Sequence, residues 1–409
     1  MSYKFQVVET EFSWLNNYNF PLIIINDEVD MISAPYLLGL LNKNLSLGTI
    51  RLKAYGIVMF YRFCEAEKID FPKMIMSLTN FKITHIEALS AYLKAKQETG
   101  ELVEEQTYKA RIIAIKDFIF YWWDTYQSRA SNDANKLRHA KDKREVMVNA
   151  FALELKVPWH STSKTRIGLE PELRALFWEI INPYSELNPF KYESTKWRNY
   201  VIFLTLGLGG SRRGESILLR LQDVQTIGKE KFFEIIKDSK KIAIKTGHKV
   251  NPAVKTKGRK VALSDSLAEI FKHYITKERK KFRGHLKIDF LFLSTRGGMP
   301  LSLESINRMT EKIIEVYPVF KNVLSPHRLR NTFHDLLDES LDTNIVKEQS
   351  DLSPMMKQVM KKRLQEYAGG WSQGSKMTDH YPAGSIERKV WERTISLQKK
   401  ALIDLDNEK

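Results

Sequence analysis

The chain has 409 residues, and its 65 lysines and arginines outnumber its 49 aspartates and glutamates, which gives a formal net charge of +16. Such an excess suits a polyanionic partner such as nucleic acid, although an acidic membrane surface would also attract it. The length predicts about two or three domains, and the single cysteine, Cys64, excludes an internal disulfide and a cysteine-rich zinc site. The sequence shows neither a signal-peptide pattern nor an apolar run of about 18 residues, so we expect a soluble cytoplasmic protein.

The first half of the chain predicts a short preface followed by a helical domain. Residues 1–40 are expected to be partly extended around the apolar run PLIIIND at Ile23. Four helices should fill residues 41–155 and form a small bundle that can lie on a DNA duplex. Their expected bounds are Thr49 to about Asp70, a start at a capping box of Thr84 and Glu87, Gln106–Ser128, and Asn135–Leu155.

The last of these helices carries several cations in its first half. A solvated helix face is often charged in this way, so the pattern alone does not establish a binding surface. Cations on one element can also neutralise the phosphates of a duplex. We therefore predict DNA contacts for Lys136, Arg138, Lys141, Lys143 and Arg144.

A change of composition separates this half from a second domain. Residues 156–168 are poor in apolar side chains and rich in Ser, Thr and Lys, which predicts a linker before a domain at 169–409. Alternating apolar residues between Lys231 and Leu263 predict a small antiparallel sheet. The predicted fold class is therefore mainly α with a small antiparallel β-sheet. Helices are expected at Pro171–Ile181, Thr195–Leu208 and Ser211–Leu221, and again from Ser264, Ser302 and Ser325.

The segment LGLGGSRRGESILLRLQDV contains a first candidate site. Arg212 and Glu215 are three residues apart at a helix start and share a face, although they could simply form a surface ion pair. The run from Gly209 to Ser216 imitates a nucleotide-binding phosphate loop. Such a loop needs a lysine after its last glycine, and Glu215 stands there, which excludes a nucleotide site.

A second candidate site lies in SPHRLRNTFHDLL. His327 and Arg330 lie three residues apart on one helix face. A guanidinium can hold two phosphate oxygens and a neutral imidazole can exchange a proton near pH 7, so the pair suits a phosphate site. His334 extends this face, but a metal site needs more converging ligands, and we expect a structural role for it.

Four short fragments follow one another along the second domain. They are RRGE…L…D at Arg212–Asp223, KTKGR at Lys255–Arg259, HRLR at His327–Arg330 and GGW…Y at Gly369–Tyr381. Together they resemble the tyrosine recombinases, the phage-integrase type of site-specific recombinase. The resemblance implies a two-domain DNA clamp, with a helical, SAM-like core-binding bundle at 41–155 and the catalytic domain at 169–409.

The same resemblance implies roles in cutting DNA. Tyr381 would attack the phosphodiester and form a 3′-phosphotyrosyl bond, while Arg212 and Arg330 hold the non-bridging oxygens. His327 would transfer the proton, with Glu215 as its orienting partner. A phenol has a reference pKa of about 10 and needs such help at pH 7. No cofactor, metal or nucleotide is required, because the phosphotyrosine stores the bond energy.

Four more residues belong to the implied site. Lys255 would protonate the departing 5′ oxygen, and Lys257 on the same hairpin turn is an alternative for this task. Trp371 would pack against the phosphate and donate its indole N–H. Arg259, at the end of the KTKGR fragment, is predicted to contact DNA.

The end of the second domain departs from the family. Trp371 and Tyr381 are 10 residues apart, one more than is usual in the family, and an insert over 341–366 is expected to add a basic helix. The apolar pattern of the tail predicts an amphipathic helix. In the family such a helix commonly packs on a neighbouring subunit, but it could equally pack on its own domain.

Double-stranded DNA is the predicted partner, and the resemblance implies a homo-oligomer that forms a tetrameric synapse on DNA. Membrane contact is not expected. Two other classes remain open. A type IB topoisomerase would use the same nicking chemistry without strand exchange, and a catalytically silent DNA-binding protein could share the charge and the fold.

Overall fold

Two compact units, Met1–Lys164 and Thr165–Lys409, make up the chain, and the division falls inside the segment 156–168 predicted as a linker. Helices dominate the described part of each unit, and each contains a small antiparallel sheet, which confirms the predicted fold class. Among the described helices, none combines the length and apolar character that a membrane crossing demands. The computed structural model describes residues 3–13, 19–79, 81–96, 99–129, 133–156, 168–237, 258–295, 297–348, 353–370 and 383–407.

The first unit begins with a sheet. Strands β1 (Phe5–Glu11), β2 (Asn19–Ile25) and β3 (Glu28–Val29) pair in that order and antiparallel. The apolar residues of β2 are buried in the same core as the helices that follow. The extended character predicted for residues 1–40 is therefore present, and the apolar run at Ile23 supplies part of the core of the helical unit.

Helices account for the rest of the first unit. The helices predicted over 106–128 and 135–155 are confirmed to within one residue at each end. Their bounds and those of the other helices are α1 (Ser33–Asn42), α2 (Leu47–Ala66), α3 (Phe71–Met76), α4 (Ile83–Lys94), α5 (Glu105–Arg129) and α6 (Ala134–Lys156).

The predicted bounds of α2 are wrong because other residues cap the helices. Ser46 caps α2, and its Oγ accepts a hydrogen bond from the Thr49 backbone N–H at 3.2 Å. Asp70 does not end this helix. It caps α3 by accepting from the Lys73 backbone N–H at 3.0 Å.

The predicted capping box of α4 is also wrong. The helix begins at Ile83, after Lys82 in an extended conformation, and no side chain caps it. Thr84 therefore lies inside the first turn, where its hydroxyl cannot serve as the N-cap acceptor.

The second unit contains most of the predicted elements. α7 has the predicted bounds, and three later helices begin directly after Ser264, Ser302 and Ser325. The part of the predicted sheet at 238–257 lies outside the described residues. The elements are α7 (Pro171–Ile181), α8 (Glu193–Gly207), α9 (Arg213–Ile217), β4 (Val224–Gln225), β5 (Phe232–Ile235), β6 (Arg259–Ala262), α10 (Asp265–His273), α11 (Leu303–Val316), α12 (Pro326–Glu348), α13 (Pro354–Gly369) and α14 (Ala383–Asn407).

Helix α8 positions the first motif. Every residue from Trp197 to Gly207 is buried, which is typical of a helix that passes through the middle of a core. The chain leaves α8 at Gly207 and enters the short α9 at Arg213, so α9 covers only part of the helix predicted over 211–221. The RRGE fragment thus sits at the end of a rigid, fully packed element.

The last two helices test the expectations for the insert and the tail. α13 confirms a helix in the predicted insert over 341–366. α14 packs on its own unit, where Gln398 Nε2 donates to the Ala262 carbonyl at 2.7 Å and its Oε1 accepts from the Ser264 backbone N–H. Of the two arrangements expected for the tail, the structure has the one within the same chain.

Candidate functional site

Glu215 is the centre of the candidate site. It is only 2% exposed, and a carboxylate is buried this deeply only when partners compensate its charge. Its Oε2 accepts a hydrogen bond from the Arg212 backbone N–H at 2.8 Å, and its Oε1 accepts one from Arg212 Nη1 at 3.2 Å. The carboxylate therefore closes the start of α9 and also holds the Arg212 guanidinium.

Two further guanidinium groups reach the same carboxylate. Arg259 Nη2, at the start of β6, donates to Glu215 Oε2 at 3.0 Å, and Arg330 Nη1 from α12 lies 3.8 Å from that oxygen. The structure thus brings together the RRGE fragment, the HRLR fragment and Arg259 of the KTKGR fragment. With Arg212, three guanidinium groups surround one carboxylate, so the four side chains, called the arginine cluster, carry a net charge of +2.

Gly210 joins two of these arginines through its backbone. Its carbonyl accepts hydrogen bonds from Arg259 Nη2 at 3.3 Å and from Arg330 Nη1. Its φ of +61° is favourable only for glycine, and an added Cβ would lie 2.3 Å from Cδ1 of Phe333. The glycine pair that imitates a nucleotide loop in the sequence instead aims one carbonyl at two guanidinium groups.

The end of α13 also meets the arginine cluster. The Gly369 carbonyl accepts hydrogen bonds from Arg330 Nη2 at 2.8 Å and from Arg212 Nη1 at 3.4 Å. Gly370 then caps α13 in the left-handed conformation with φ +63°. The fourth fragment of the sequence, GGW…Y, is therefore attached to the other three through its first glycine.

Burial and mutual repulsion shape the electrostatics of the cluster. Burial, followed by the positive charges of Arg212 and Arg259, lowers the pKa of Arg330 to about 9. Burial also lowers the pKa of Arg259, while the charge of Glu215 opposes that shift. A bound anion would offset the repulsion among the arginines. The arrangement therefore fits a phosphate group, which guanidinium groups bind through charge-assisted hydrogen bonds.

Comparison with known families agrees with this arrangement. Residues 182–355 match the model of the phage integrase family. The matched range lies within the second unit. The matched range contains all members of the arginine cluster and His327, but it ends before Gly369, so Trp371 and Tyr381 lie beyond it. No curated protein matches the chain significantly.

Several solved structures are similar to the chain over most of its length. XerH site-specific recombinase bound to palindromic difH substrate, a post-cleavage complex, is 19% identical, with 86% of this chain and 82% of that chain covered and a TM-score of 0.49. The Tn1549 transposon integrase in complex with a circular intermediate DNA is 17% identical, with 76% and 85% covered and a TM-score of 0.44. The integrase from mycobacterium phage Brujita is 15% identical, with 90% and 92% covered and a TM-score of 0.34.

Two histidines of the second unit lie beside the arginine cluster. His327 is exposed at the start of α12, one turn before Arg330. His334 packs edge-on against Phe333, with ring centroids 5.2 Å apart. Burial, followed by the charges of Arg330 and Arg259, lowers the pKa of His334 to about 3. Its imidazole is therefore neutral at pH 7, which agrees with the structural role predicted for it.

The neutral His334 should make the domain sensitive to acid. Because its pKa of about 3 lies below the reference value of 6.5, the unfolded chain binds a proton more readily, and stability falls as the pH drops from about 6.5 to about 3. Lowering the pH from 6.5 to 4.5 should reduce the free energy of unfolding of the wild type by about 2 kcal/mol more than that of His334→Phe. Urea unfolding at both pH values measures this, with His139→Phe as an exposed control. An equal acid loss in His334→Phe and the wild type would contradict the assignment.

Three of the cations predicted to contact DNA are exposed on α6. They are Lys136, Arg138 and Lys141. Lys136 lies 3.6 Å from Asp133, but both side chains are largely in solvent, and exposed pairs of this kind hold a cation only weakly. These three side chains are accessible to a ligand, and their contact with DNA stays a prediction.

The other two predicted cations of α6 are engaged within the first unit. Lys143 Nζ donates to the Leu78 carbonyl at 3.4 Å. Arg144 donates twice to Asp124, at 2.6 and 3.1 Å, and its guanidinium lies 4.8 Å from the Phe120 ring centroid. A DNA phosphate would have to compete with these contacts, and the DNA contacts predicted for Lys143 and Arg144 stay predictions.

Several predicted site residues lie outside the described residues. They are Lys255, Lys257, Trp371 and Tyr381. Their roles, and the choice between the two lysines, stay predictions. The described chain comes closest to them at Gly258, next to Lys257, and at Gly370, next to Trp371.

Sequence reasoning missed two features of the site. The Gly369 carbonyl was not foreseen, although a glycine pair after a helical pattern is the usual signal of a left-handed helix cap. Arg259 was predicted to contact DNA, but it is 5% exposed and is bound by Glu215 and Gly210. No sequence signal separates a buried arginine of this kind from an exposed one.

Proposed function

We propose that the protein is a site-specific DNA recombinase that cuts and rejoins DNA strands through a phosphotyrosyl link at Tyr381. The observation that carries this proposal is the arginine cluster. Arg212 and Arg330 share the buried Glu215 and both donate to the Gly369 carbonyl. A carbonyl oxygen held by two guanidinium groups stands where an oxygen of a phosphodiester would be held.

Arg212 and Arg330 act on the charge of the phosphate. They bind its non-bridging oxygens, and one such oxygen takes the hydrogen bonds that Gly369 accepts in the free protein. The charge on these oxygens grows as the phosphorus becomes pentacoordinate, so the contacts strengthen in the transition state. By analogy with arginine fingers, the contribution is a factor of about 10³ to 10⁵ in rate.

The transfer is balanced by two proton movements. The Tyr381 oxygen forms a bond to phosphorus while the bond from phosphorus to the 5′ oxygen breaks. His327 accepts the phenolic proton, and its exposed position one turn from Arg330 leaves it open to the substrate. Lys255 or Lys257 gives a proton to the departing 5′ oxygen, and Trp371 packs on the phosphate. The reverse sequence rejoins the strand without a cofactor.

The partner is double-stranded DNA, which the net charge of +16 favours. The exposed cations of α6 neutralise phosphates of the duplex, and their charge gives the binding its salt dependence. Strand exchange between two duplexes needs four active sites, so the working assembly is a homotetramer on DNA.

A covalent trapping experiment tests the proposal. The protein is incubated with a pool of nicked duplexes of random sequence, in which cleavage releases a short fragment that cannot rejoin. We expect a protein–DNA adduct that survives denaturant, is enriched in one sequence and is absent in Tyr381→Phe. Tyr367, four residues before Trp371, is a second tyrosine near the end of α13. The matched variant Tyr367→Phe should retain the adduct.

The alternatives give different outcomes. Adducts without sequence preference, together with relaxation of any supercoiled plasmid, would indicate a type IB topoisomerase. Retention of DNA without any adduct would indicate a silent DNA-binding protein and would contradict the proposed chemistry. An adduct that persists in Tyr381→Phe and disappears in Tyr367→Phe would move the nucleophile to Tyr367.

A further inference from the structure

We infer that Arg259 is a positioning residue of the phosphate site. Arg259 holds Glu215 and Gly210 in place and adds positive charge to the arginine cluster, but it does not contact DNA. The inference rests on the proposed function for its consequence in catalysis. It differs from the sequence-based prediction, which made Arg259 a DNA contact.

The contacts of Arg259 differ from those of the two arginines proposed to bind the phosphate. Burial alone does not separate them, because the side chains of Arg259 and Arg330 are 2% and 3% exposed. Arg212 and Arg330 donate to the Gly369 carbonyl, where a phosphate oxygen is proposed to bind, whereas Arg259 Nη2 donates to Glu215 and Gly210 behind it. Arg259 lies on β6, where its pairing with Ile235 fixes the backbone. We therefore expect it to act on a phosphate through Glu215 and Gly210.

Arg259 and Arg330 bind the same two oxygens. Arg259 Nη2 donates to Glu215 Oε2 and to the Gly210 carbonyl, and Arg330 Nη1 donates to that carbonyl and lies 3.8 Å from Glu215 Oε2. Without Arg259, Glu215 Oε2 and the Gly210 carbonyl would attract the Arg330 guanidinium more strongly. Arg259 therefore leaves Nη2 of Arg330 directed to the place where the Gly369 carbonyl now lies.

The charge of Arg259 matters most in the transition state. A phosphodiester carries one negative charge, and addition of a phenolate makes a species with two. The four side chains of the arginine cluster, three arginines and Glu215, carry a net charge of +2 with Arg259 and +1 without it. Loss of this charge should therefore slow the chemical step more than it weakens DNA binding.

The strand itself offers a matched control. Lys260 is the next residue of β6 and also carries a positive charge, but its side chain points to the other face of the strand, where Nζ lies 4.5 Å from the Phe232 ring centroid. Lys260→Gln removes the same charge from the same strand without disturbing the arginine cluster.

The experiment compares full-length Arg259→Gln and Lys260→Gln with the wild type. The probes are the nicked duplex enriched by trapping and a random 30-base-pair duplex. For Arg259→Gln we expect a fall of about 10² to 10³ in the adduct rate at saturating DNA, as for loss of one transition-state donor. Its Kd should stay within about threefold, and the slope of log K against log salt should not change, because no phosphate contact is lost. Lys260→Gln should keep the wild-type rate.

Two reference variants make the result decisive. Arg212→Gln should lower the salt slope by about one, because a phosphate contact is lost. The double variant Glu215→Gln/Arg259→Gln removes the buried cation and the buried anion together, and it serves if Arg259→Gln does not fold. Its salt slope is the readout for Arg259 and should equal that of the wild type. Its adduct rate should be low in any case, because Glu215 is also lost.

Each remaining outcome decides against the inference. A salt slope lowered by about one in Arg259→Gln or in the double variant would make Arg259 a direct DNA contact. A wild-type adduct rate in Arg259→Gln or in the double variant would show that Arg259 has no role in the site. If the wild type forms no adduct on any DNA, the proposed function fails, while the salt slopes still decide whether Arg259 touches DNA.

Discussion

Replacing Glu215 with glutamine is expected to lower the free energy of unfolding by about 3 to 5 kcal/mol, the range found when one partner of a buried ion pair is removed. The side chain is fully buried and lies between Arg212, Arg259 and Arg330. Without its charge, the three guanidinium groups repel each other across a region that water does not reach. The amide N–H groups of the glutamine would also face the N–H donors of the arginines. Urea unfolding measures the loss, and formation of the DNA adduct should disappear.

The exposed Glu230→Gln is the control for this experiment. Its side chain lies in solvent, so the same chemical change should alter the unfolding free energy by less than about 0.5 kcal/mol. A loss below about 1 kcal/mol in Glu215→Gln would mean that the arginine cluster does not depend on the carboxylate.

Replacing Gly210 with alanine should also cost about 3 to 5 kcal/mol, from a strained left-handed backbone and from overpacking against Phe333. The added Cβ would lie 2.3 Å from Cδ1 and 2.4 Å from Cε1 of that ring, which is itself buried. Either the ring or the Gly210 carbonyl must move, and the carbonyl binds both Arg259 and Arg330. Thermal unfolding and adduct formation should therefore both be impaired.

Gly228→Ala separates strain from packing. Gly228 has φ +103°, which alanine adopts with strain, but only Gln225 Nε2, at 3.5 Å, is near an added Cβ. We expect a loss of about 1 to 2 kcal/mol there and no effect on adduct formation. Equal losses at the two glycines would show that backbone strain alone explains Gly210.

Local signals in the sequence predicted the helices well. Pro171 at a first turn and serines before Leu303 and Pro326 set helix starts, because a cap depends on side chains only a few residues away. The same reasoning failed at Thr84, where nothing local distinguishes the residue before a helix from one inside its first turn. Strand β1 pairs with β2 in a register that places Phe5 opposite Ile25. This register depends on packing within the whole unit and not on a local signal.

The site shows the same division between local and distant information. The fragments gave the identities of Arg212 and Arg330, because the chemistry of phosphate restricts which side chains can serve. Their meeting at one carboxylate could not be derived from spacing, since Arg212 and Gly369 are 157 residues apart. The burial of the Arg259 side chain depends on how the chain packs around β6. No short pattern in a single sequence encodes that packing.

The packing of α14 has a consequence for assembly. The helix is fastened to its own unit by both polar ends of the Gln398 side chain and by buried Val390 and Leu397. If it moved to an identical neighbour, it would find the same contacts there, so a domain swap would exchange like for like and would cost little at equilibrium. The cost would be kinetic, since all these contacts must break first. Tyr381 precedes α14 by only two residues, so a helix that changed subunits would take the candidate nucleophile with it.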